Sequence, residues 1–205
     1  MSMDRRTEII ENLNDVRARV AAALDGERTV GARLVAVSKY KPAEDLMYAY
    51  DAGQRHFGEN YLPRDIQWHF IGTLQSNKCK AVAVERTEPL RVFVQVNTSA
   101  EEVKGGIAAA DCAEVCKHII DNCPQLKLCG LMTIGMFGRD PTQENPDFQC
   151  LADCKAQVQK VLPDLDLELS MGMSEDYEKA LKAGSTNIRV GRTIFGERPK
   201  KTTKA

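Results

Sequence analysis

Short apolar runs alternate with helical stretches along almost the whole chain, and this alternation most restricts its fold. The runs are apolar throughout rather than at every second residue, which is typical of strands buried on both faces of a sheet. Seven such strands are predicted, at residues 33–38, 55–57, 67–71, 91–96, 126–132, 165–169 and 187–190. The pattern predicts a parallel sheet covered by helices, either a (β/α)8 barrel or a doubly wound sheet.

The helices are recognised by apolar residues three and four positions apart. At the start of the chain, Ile9, Leu13, Val16 and Val20 follow this spacing, and Gly26 marks the helix end. This segment has an apolar stripe and no reactive pattern, so we interpret it as a packing helix. Further helices are predicted at residues 108–122, 147–162 and 174–182.

Length and charge limit the number of domains and the classes of partner. We expect residues 1–205 to form one domain, with residues 197–205 as a basic tail. Lys and Arg total 28 and Asp and Glu total 29, so there is no basic excess for nucleic acid or an anionic membrane. No run approaches the ~20 apolar residues of a membrane span, and the N-terminus lacks a signal peptide's apolar stretch. We expect a cytoplasmic protein, with mitochondrial import left open.

The cysteines and histidines form no recognised metal motif. The seven cysteines include no Cys-x-x-Cys, and the three histidines lie far from any cysteine pair at zinc-finger spacing. Two cysteine pairs are four residues apart and can each share a helix face as small buried hydrophobes: Cys112 with Cys116, and Cys150 with Cys154. We therefore expect reduced thiols and no metal.

Polar residues follow the strand ends, which is where ligands bind in both candidate architectures. Lys39 directly follows the first predicted strand. If its stem is buried, desolvation favours the neutral amine, which is the form that condenses with an aldehyde. A solvated lysine at a strand end is the alternative interpretation.

Two segments near the C-terminus have the composition of a phosphate site. Ser174 follows the strand at 165–169 and can cap the helix that comes next. After the last strand, Gly191 allows close approach of a ligand, and the amides of Arg192 and Thr193 open a short helical turn. Helix N-termini attract phosphate, and barrels often bind it after their last two strands.

The chain carries, in order, the segments VAVSKYKP, HFGENY, WHFIGTLQSNK, VQVNTSAEEVKGG, GLMTIGMFGRD, LSMGMSEDY and STNIRVGRTIFGER. Together they resemble the pyridoxal phosphate homeostasis protein family over nearly the whole length. The resemblance implies a (β/α)8 TIM barrel of PLP fold type III, like the barrel domain of alanine racemase. It also implies that the cofactor is pyridoxal 5'-phosphate (PLP), held as a Schiff base.

The resemblance implies a set of cofactor-binding residues. Lys39 matches the Schiff-base lysine. Arg189 matches an arginine near the pyridine nitrogen, where a permanent cation keeps the nitrogen unprotonated and weakens the ring as an electron sink; a structural arginine is the alternative. The full set is Lys39, Asn60, Met173, Ser174, Arg189, Gly191, Arg192 and Thr193.

The chain also departs from the family pattern. A helix is missing after Tyr61, and the fourth strand with its helix is missing near Arg86. Barrel closure depends on strand number, so either segments are absent from the sequence or the chain is a deletion form with an open sheet edge. Thr73 replaces a histidine, and Arg192 replaces a small hydroxyl residue, which puts a side-chain role for Arg192 in doubt.

The resemblance implies a monomeric carrier or buffer of PLP in intracellular homeostasis, with no catalytic residues and with apo PLP-dependent enzymes as recipients. Related racemases add a C-terminal domain, whereas nine residues follow Gly196 here. The alternatives are a PLP-dependent enzyme, such as a weak amino-acid racemase using Lys39 as base, and a Schiff-base aldolase acting on a phosphorylated sugar. Lys104 is either a second amine for PLP transfer or a solvated loop residue.

Overall fold

The computed structural model describes residues 4–24, 31–58, 67–71, 88–101, 103–140 and 143–197. The helices are α1 (Arg5–Leu24), α2 (Ala43–Asp51), α3 (Cys112–Asn122), α4 (Pro146–Val161), α5 (Tyr177–Lys182) and α6 (Arg192–Phe195). The strands are β1 (Arg33–Val37), β2 (His56–Gly58), β3 (Gln67–Trp68), β4 (Leu90–Asn97), β5 (Ile107–Ala108), β6 (Leu126–Met132), β7 (Glu168–Ser170) and β8 (Asn187–Val190). The predictions that lie outside the described residues concern Gly26, Asn60, Thr73, the segments after Tyr61 and near Arg86, and the tail beyond Glu197.

Residue contacts divide the chain into two compact units. The first comprises Met1–Ile71, Gly172–Lys182 and Ile188–Ala205, and the second comprises Gly72–Met171 and Ala183–Asn187. The strand order is β3-β2-β1-β8 in the first unit and β7-β6-β4-β5 in the second. All the described strand pairs with a known register are parallel, so the predicted parallel α/β class is confirmed.

The observed strands coincide with the predicted ones where the apolar run has clear ends in the sequence. The strands predicted at 126–132 and 187–190 coincide with β6 and β8. The strand predicted at 165–169 begins too early, because Leu165 donates its N–H to the carbonyl of Leu162 (3.2 Å) in a turn that precedes β7. The two-residue strand β5 was not predicted, since it is too short to leave a periodic signal and forms by pairing with β4.

Helix α1 is a packing helix, as its apolar spacing predicts. Ile9, Leu13, Val16 and Val20 are all buried. They belong to the core of the first unit, where α1 contacts α2, α5 and α6. Burial of each such side chain contributes about 1.5–3 kcal/mol, so this stripe is a main source of stability for the unit.

Polar contacts from α1 also hold the end of α6. The Arg5 guanidinium bonds to the buried Asp45 carboxylate (Nη2–Oδ2 2.6 Å) and to the carbonyl of Phe195 (2.9 Å). Asn12 donates to the carbonyl of Ile194 (3.3 Å). Because the last carbonyls of a helix lack partners within that helix, these contacts satisfy groups that would otherwise be left without one.

In the second unit, α3 and α4 pack together through small side chains. Cys112 and Cys116 are buried on α3, and Cys154 is buried on α4. Within the described part of the chain, no group of three or more His, Cys, Asp or Glu side chains is arranged to hold a metal ion. The described helices include none long and apolar enough to cross a membrane.

A buried carboxylate organises the loop after β6 in the second unit. Asp147 is fully buried near the start of α4, and its Oδ2 accepts hydrogen bonds from the Met136 amide and from Arg139 Nε (both 3.0 Å). Burial acts to raise the pKa of Asp147, but the bonds from Arg139 and Met136 outweigh it and hold the pKa below its ordinary value. Ionised Asp147 therefore stabilises the fold.

We expect Asp147→Asn to lower the free energy of unfolding at neutral pH by about 1–3 kcal/mol, because Arg139 loses its charged partner. The folded-state pKa lies below the unfolded value of about 3.9, so this stabilisation is present above that pH and is lost as the pH falls through the folded-state pKa. Urea unfolding between pH 7 and pH 3 measures it, with exposed Asp153→Asn on the same helix as control. Equal losses in both variants would contradict the prediction.

Candidate functional site

The predicted lysine lies just beyond the carboxyl end of β1. The strand ends at Val37, the buried Ser38 follows, and Lys39 is half-buried. The Lys41 amide donates to the carbonyl of Ser38 (3.0 Å), so the chain turns immediately after the strand. Lys39 Nζ donates to the carbonyl of Ile71. The amine is therefore held beside the backbone that follows β3 rather than extended into solvent.

Gly191 brings the end of β8 against the end of β1. A Cβ atom at Gly191 would lie 2.7 Å from the carbonyl oxygen of Val37 and 3.3 Å from its Cβ. The sequence assigned this glycine to the approach of a ligand; the structure shows that the approach of two strands also requires it. As a result, Lys39 and the segment after β8 belong to the same end of the first unit.

Ser174 joins the two segments of the predicted phosphate site. Its Oγ accepts hydrogen bonds from the amides of Gly191 (3.3 Å) and Thr193 (3.5 Å). The prediction that Ser174 caps a helix is wrong, because α5 begins only at Tyr177 and residues 174–176 form a turn. Instead, the hydroxyl points at two backbone donors from another segment. Three predicted phosphate residues are thus brought together.

The Arg192 side chain is on the surface and binds carboxylates. Its guanidinium bonds to Glu175 and lies 3.5 Å from Glu197. The hydrogen bond to Glu175 raises the pKa of Arg192. The structure therefore gives this side chain protein partners of its own, in line with the doubt raised by the sequence about a direct role at the site.

Arg189 is buried in β8, where all four residues are buried. Burial lowers the pKa of Arg189 to about 10, and the negative charge of Asp176 opposes that effect. A pKa near 10 leaves the guanidinium protonated at neutral pH. Strand β8 thus presents a buried cation, which is the chemical property that the sequence predicted for this position.

Met173 and Asp176 lie in the turn between β7 and α5. Met173 is half-buried, and its amide donates to Asp176 Oδ1 (2.7 Å). Burial raises the pKa of Asp176, while the bond from Met173 and the charge of Arg189 act to lower it. Sequence reasoning treated Asp176 only as part of a helix's first turn. The sequence did offer a signal for Asp176: a carboxylate two residues after Ser174, in a segment that also contains Gly172.

Lys104 belongs to the second unit. Its Nζ donates to the carbonyl of Gly135 (2.6 Å) and pairs with Glu101 Oε2 (2.5 Å). The side chain is 22% exposed, so this loop lysine is only partly solvated. These contacts join the loop after β4 to the loop after β6. A role for Lys104 in transferring a ligand stays a hypothesis.

The amino-acid sequence is similar to those of proteins whose family is known. Residues 18–199 match the family model described as the alanine racemase N-terminal domain. A "Pyridoxal phosphate homeostasis protein" of Schizosaccharomyces pombe is 44% identical over 222 residues, covering 91% of this chain and 92% of the relative. The Homo sapiens protein of the same name is 42% identical over 210 residues, covering 81% of this chain and 76% of the relative. The first alignment is longer than the 205-residue chain, so that relative has residues without a counterpart here.

Solved structures of similar fold agree with the family match. PipY of Synechococcus elongatus, solved with PLP bound, superposes with a TM-score of 0.75 at 30% identity, covering 92% of this chain and all of that one. Alanine racemase of Bartonella henselae superposes with a TM-score of 0.67 at 14% identity, covering 97% of this chain and 62% of that one. The second likeness concerns the fold alone. The predicted fold class, that of the alanine racemase barrel domain, is confirmed.

Proposed function

The chain belongs to the alanine racemase N-terminal domain family, among the pyridoxal phosphate homeostasis proteins, and we propose that it binds PLP as a carrier or buffer. One observation carries the proposal. The Ser174 hydroxyl accepts hydrogen bonds from the amides of Gly191 and Thr193, in the segment after β8 that packs against the end of β1, where Lys39 lies. We further propose that it acts in the cytoplasm as a monomer, with apo PLP-dependent enzymes as recipients.

The residues present fit a phosphate group. The Ser174 hydroxyl oxygen lies 3.3 Å from the Gly191 nitrogen and 3.5 Å from the Thr193 nitrogen, and none of the three groups carries a negative charge. Backbone amides at a turn into a helix are suited to phosphate oxygens. Gly191 has no side chain to obstruct this position. We propose that Ser174, Gly191, Arg192 and Thr193 hold the phosphate, Arg192 through its backbone.

Lys39 and Arg189 fit the reactive ring. When bound, PLP supplies an aldehyde that condenses with a primary amine and releases water. Lys39 is half-buried just beyond the end of β1, and its amine donates to the carbonyl of Ile71. Arg189 is a buried cation at neutral pH, so it favours an unprotonated ring nitrogen and weakens the ring as an electron sink. Asn60 and Met173 complete the proposed pocket.

The charged groups described at this end of the first unit favour holding PLP over catalysis. Asp176 accepts a hydrogen bond from the Met173 amide, and Glu175 bonds to Arg192. A racemase needs a group that exchanges a proton with the substrate on the face opposite the lysine. These carboxylates are instead engaged with protein partners, which supports a carrier without catalytic turnover.

A transfer assay tests this function. Protein loaded with PLP and freed of excess cofactor is mixed with an apo PLP-dependent enzyme, whose activity reports the PLP received. In parallel, the loaded protein is incubated with L-alanine and the D-isomer is measured. We expect the recipient's activity to return and no D-alanine to form. D-alanine formation that disappears in Lys39→Ala would instead establish the racemase alternative.

We expect Ser174→Ala to weaken PLP binding roughly 10- to 100-fold, because loss of one hydrogen bond to a charged group costs about 1.5–3 kcal/mol. Equilibrium dialysis against PLP measures the change. Ser99→Ala is the matched control, since the Ser99 hydroxyl bonds to Glu101 in the second unit. Unchanged affinity in Ser174→Ala, or an equal loss in both variants, would count against the proposed phosphate site.

A further inference from the structure

Two histidines on neighbouring strands face each other in the first unit. His56 lies in β2 and His69 directly follows β3, and the distance from His56 Nδ1 to His69 Nε2 is 3.3 Å. The two rings meet edge to face, with centroids 5.5 Å apart and an angle of 68° between their planes. Thirteen positions separate them in the sequence, so the pair forms only in the fold and leaves no local motif.

The strand register places both histidines on one face of the sheet. His56 pairs with Gln67, and His69 lies two residues beyond Gln67, so their side chains point the same way. Phe57, the neighbour of His56, points to the opposite face and is fully buried in the core that includes α1. The histidine pair is therefore on the face turned away from α1, where both side chains are half-buried.

Hydrogen bonds fix the backbone that carries the two rings. The buried Gln54 side chain donates to the carbonyls of Leu34 (2.7 Å) and His56 (2.9 Å), which joins the start of β2 to β1. The His69 amide donates to the carbonyl of Phe57 (2.9 Å), which extends the pairing of β2 with β3 as far as His69. Because both backbones are held, little conformational freedom is lost when the two rings bind one ligand.

The distance between the ring nitrogens fits two ligands of one metal ion. Imidazole nitrogens bind Zn²⁺ at about 2.0–2.1 Å, so two of them lie about 2.8–3.4 Å apart at bond angles of about 90–109°. The observed 3.3 Å lies within this range. Without metal, one neutral imidazole can donate to the other. On metal binding, that proton moves to the outer nitrogen of its own ring, and a modest tilt of each ring directs both lone pairs at the ion.

We propose that His56 and His69 form a two-imidazole site for a divalent transition-metal ion such as Zn²⁺ or Ni²⁺. Ions of this class favour imidazole, whereas Mg²⁺ and Ca²⁺ favour oxygen ligands. Among the described residues, no group of three or more His, Cys, Asp or Glu side chains is arranged around a metal, so the pair supplies two ligands and water or an external ligand supplies the others. The inference does not depend on PLP binding, because neither histidine belongs to the proposed cofactor site.

A calorimetric titration of the protein without PLP with two nickel chelates tests the site. Ni²⁺ held by nitrilotriacetate keeps two adjacent open positions, whereas Ni²⁺ held by a chelator with five donor atoms keeps one. We expect the first chelate to bind at least roughly tenfold more tightly than the second, because the second imidazole then binds at a high effective concentration. Equal affinities for the two chelates would overturn the proposal.

Histidine variants identify the two ligands. His56→Gln and His69→Gln are each expected to weaken binding of the nitrilotriacetate chelate at least roughly tenfold, because one imidazole is left. His118→Gln is the matched control, since His118 is exposed on α3 and its Nδ1 lies 3.3 Å from Asn122 Nδ2 rather than beside another imidazole. We expect unchanged binding in this control. Unchanged binding in His56→Gln and His69→Gln, or an equal loss in all three variants, would overturn the proposal.

Urea unfolding gives a readout that also shows whether each variant folds. A metal chelate that binds the native pair and not the unfolded chain raises the free energy of unfolding. We expect the nitrilotriacetate chelate to raise the unfolding midpoint of the parent protein and of His118→Gln, and to leave the midpoints of His56→Gln and His69→Gln where they are without nickel. If either of these variants shows no unfolding transition, the two-chelate comparison on the parent protein decides. A parent midpoint that does not rise would overturn the proposal.

Discussion

Lys39→Ala is expected to abolish the visible absorption band that PLP produces on the protein, because Lys39 is the proposed Schiff-base lysine and lies just beyond the buried end of β1. Lys39 is held beside the carbonyl of Ile71, and its stem is half-buried. Residual PLP binding through the phosphate residues is expected to remain, since Ser174 and the amides of Gly191 and Thr193 are unchanged. Absorbance and equilibrium dialysis with PLP measure the two effects separately.

Lys41→Ala is the matched control for this variant. Lys41 lies two residues further along the same turn, and its Nζ donates to the carbonyl of Glu197 instead. We expect Lys41→Ala to keep the full visible band. A band that persists in Lys39→Ala and disappears in Lys41→Ala would show that Lys41, rather than Lys39, is the reactive amine. A band lost in both variants would indicate that the turn itself is damaged.

Gly191→Ala is expected to lower the free energy of unfolding by about 1–3 kcal/mol and to weaken PLP binding at least roughly tenfold. The added Cβ would lie 2.7 Å from the carbonyl oxygen of Val37, and backbone atoms of two paired strands cannot move aside cheaply. Any movement displaces the Gly191 amide from Ser174. Denaturant unfolding and equilibrium dialysis measure the two losses.

Gly31→Ala is the control for the general effect of replacing a glycine. A Cβ at Gly31 meets nothing within 4 Å, so the substitution adds no clash. We expect it to leave stability and PLP affinity within experimental error of the parent protein. If Gly191→Ala behaves in the same way, the close approach of β8 to β1 does not constrain the site.

Local patterns in the sequence were sufficient to predict helices, strands and the residues at the strand ends. Continuous apolar runs located β6 and β8, because strands buried on both faces leave an uninterrupted signal. The three- and four-residue spacing located α1, whose apolar stripe is buried. The order of motifs indicated the family, and Lys39, Ser174 and Gly191 do lie at one end of the first unit.

Contacts between distant segments could not be predicted in the same way. Ser174 resembles a helix cap in the sequence, but its hydroxyl bonds to amides 17 and 19 residues away. The turn that carries Asp176 likewise depends on a distant contact, because the Arg189 amide donates to the carbonyl of Gly172. The requirement for Gly191 comes from the backbone of Val37, which no local pattern reveals.

The departures from the family pattern stay predictions. The proposed absent segments after Tyr61 and near Arg86 lie outside the described residues, as does Asn60. The Schizosaccharomyces pombe relative aligns over more residues than this chain possesses, which supports the interpretation that internal segments are missing. The prediction that residues 1–205 form a single barrel domain also stays a prediction.

The most direct measurement is the location of the PLP adduct after chemical trapping. The protein is incubated with PLP and reduced with borohydride, and the modified peptide is identified by mass spectrometry. We expect one adduct per chain, on Lys39. An adduct concentrated on Lys104 or scattered over several surface lysines, with Lys39 unmodified, would contradict the assignment of Lys39 as the residue that holds PLP.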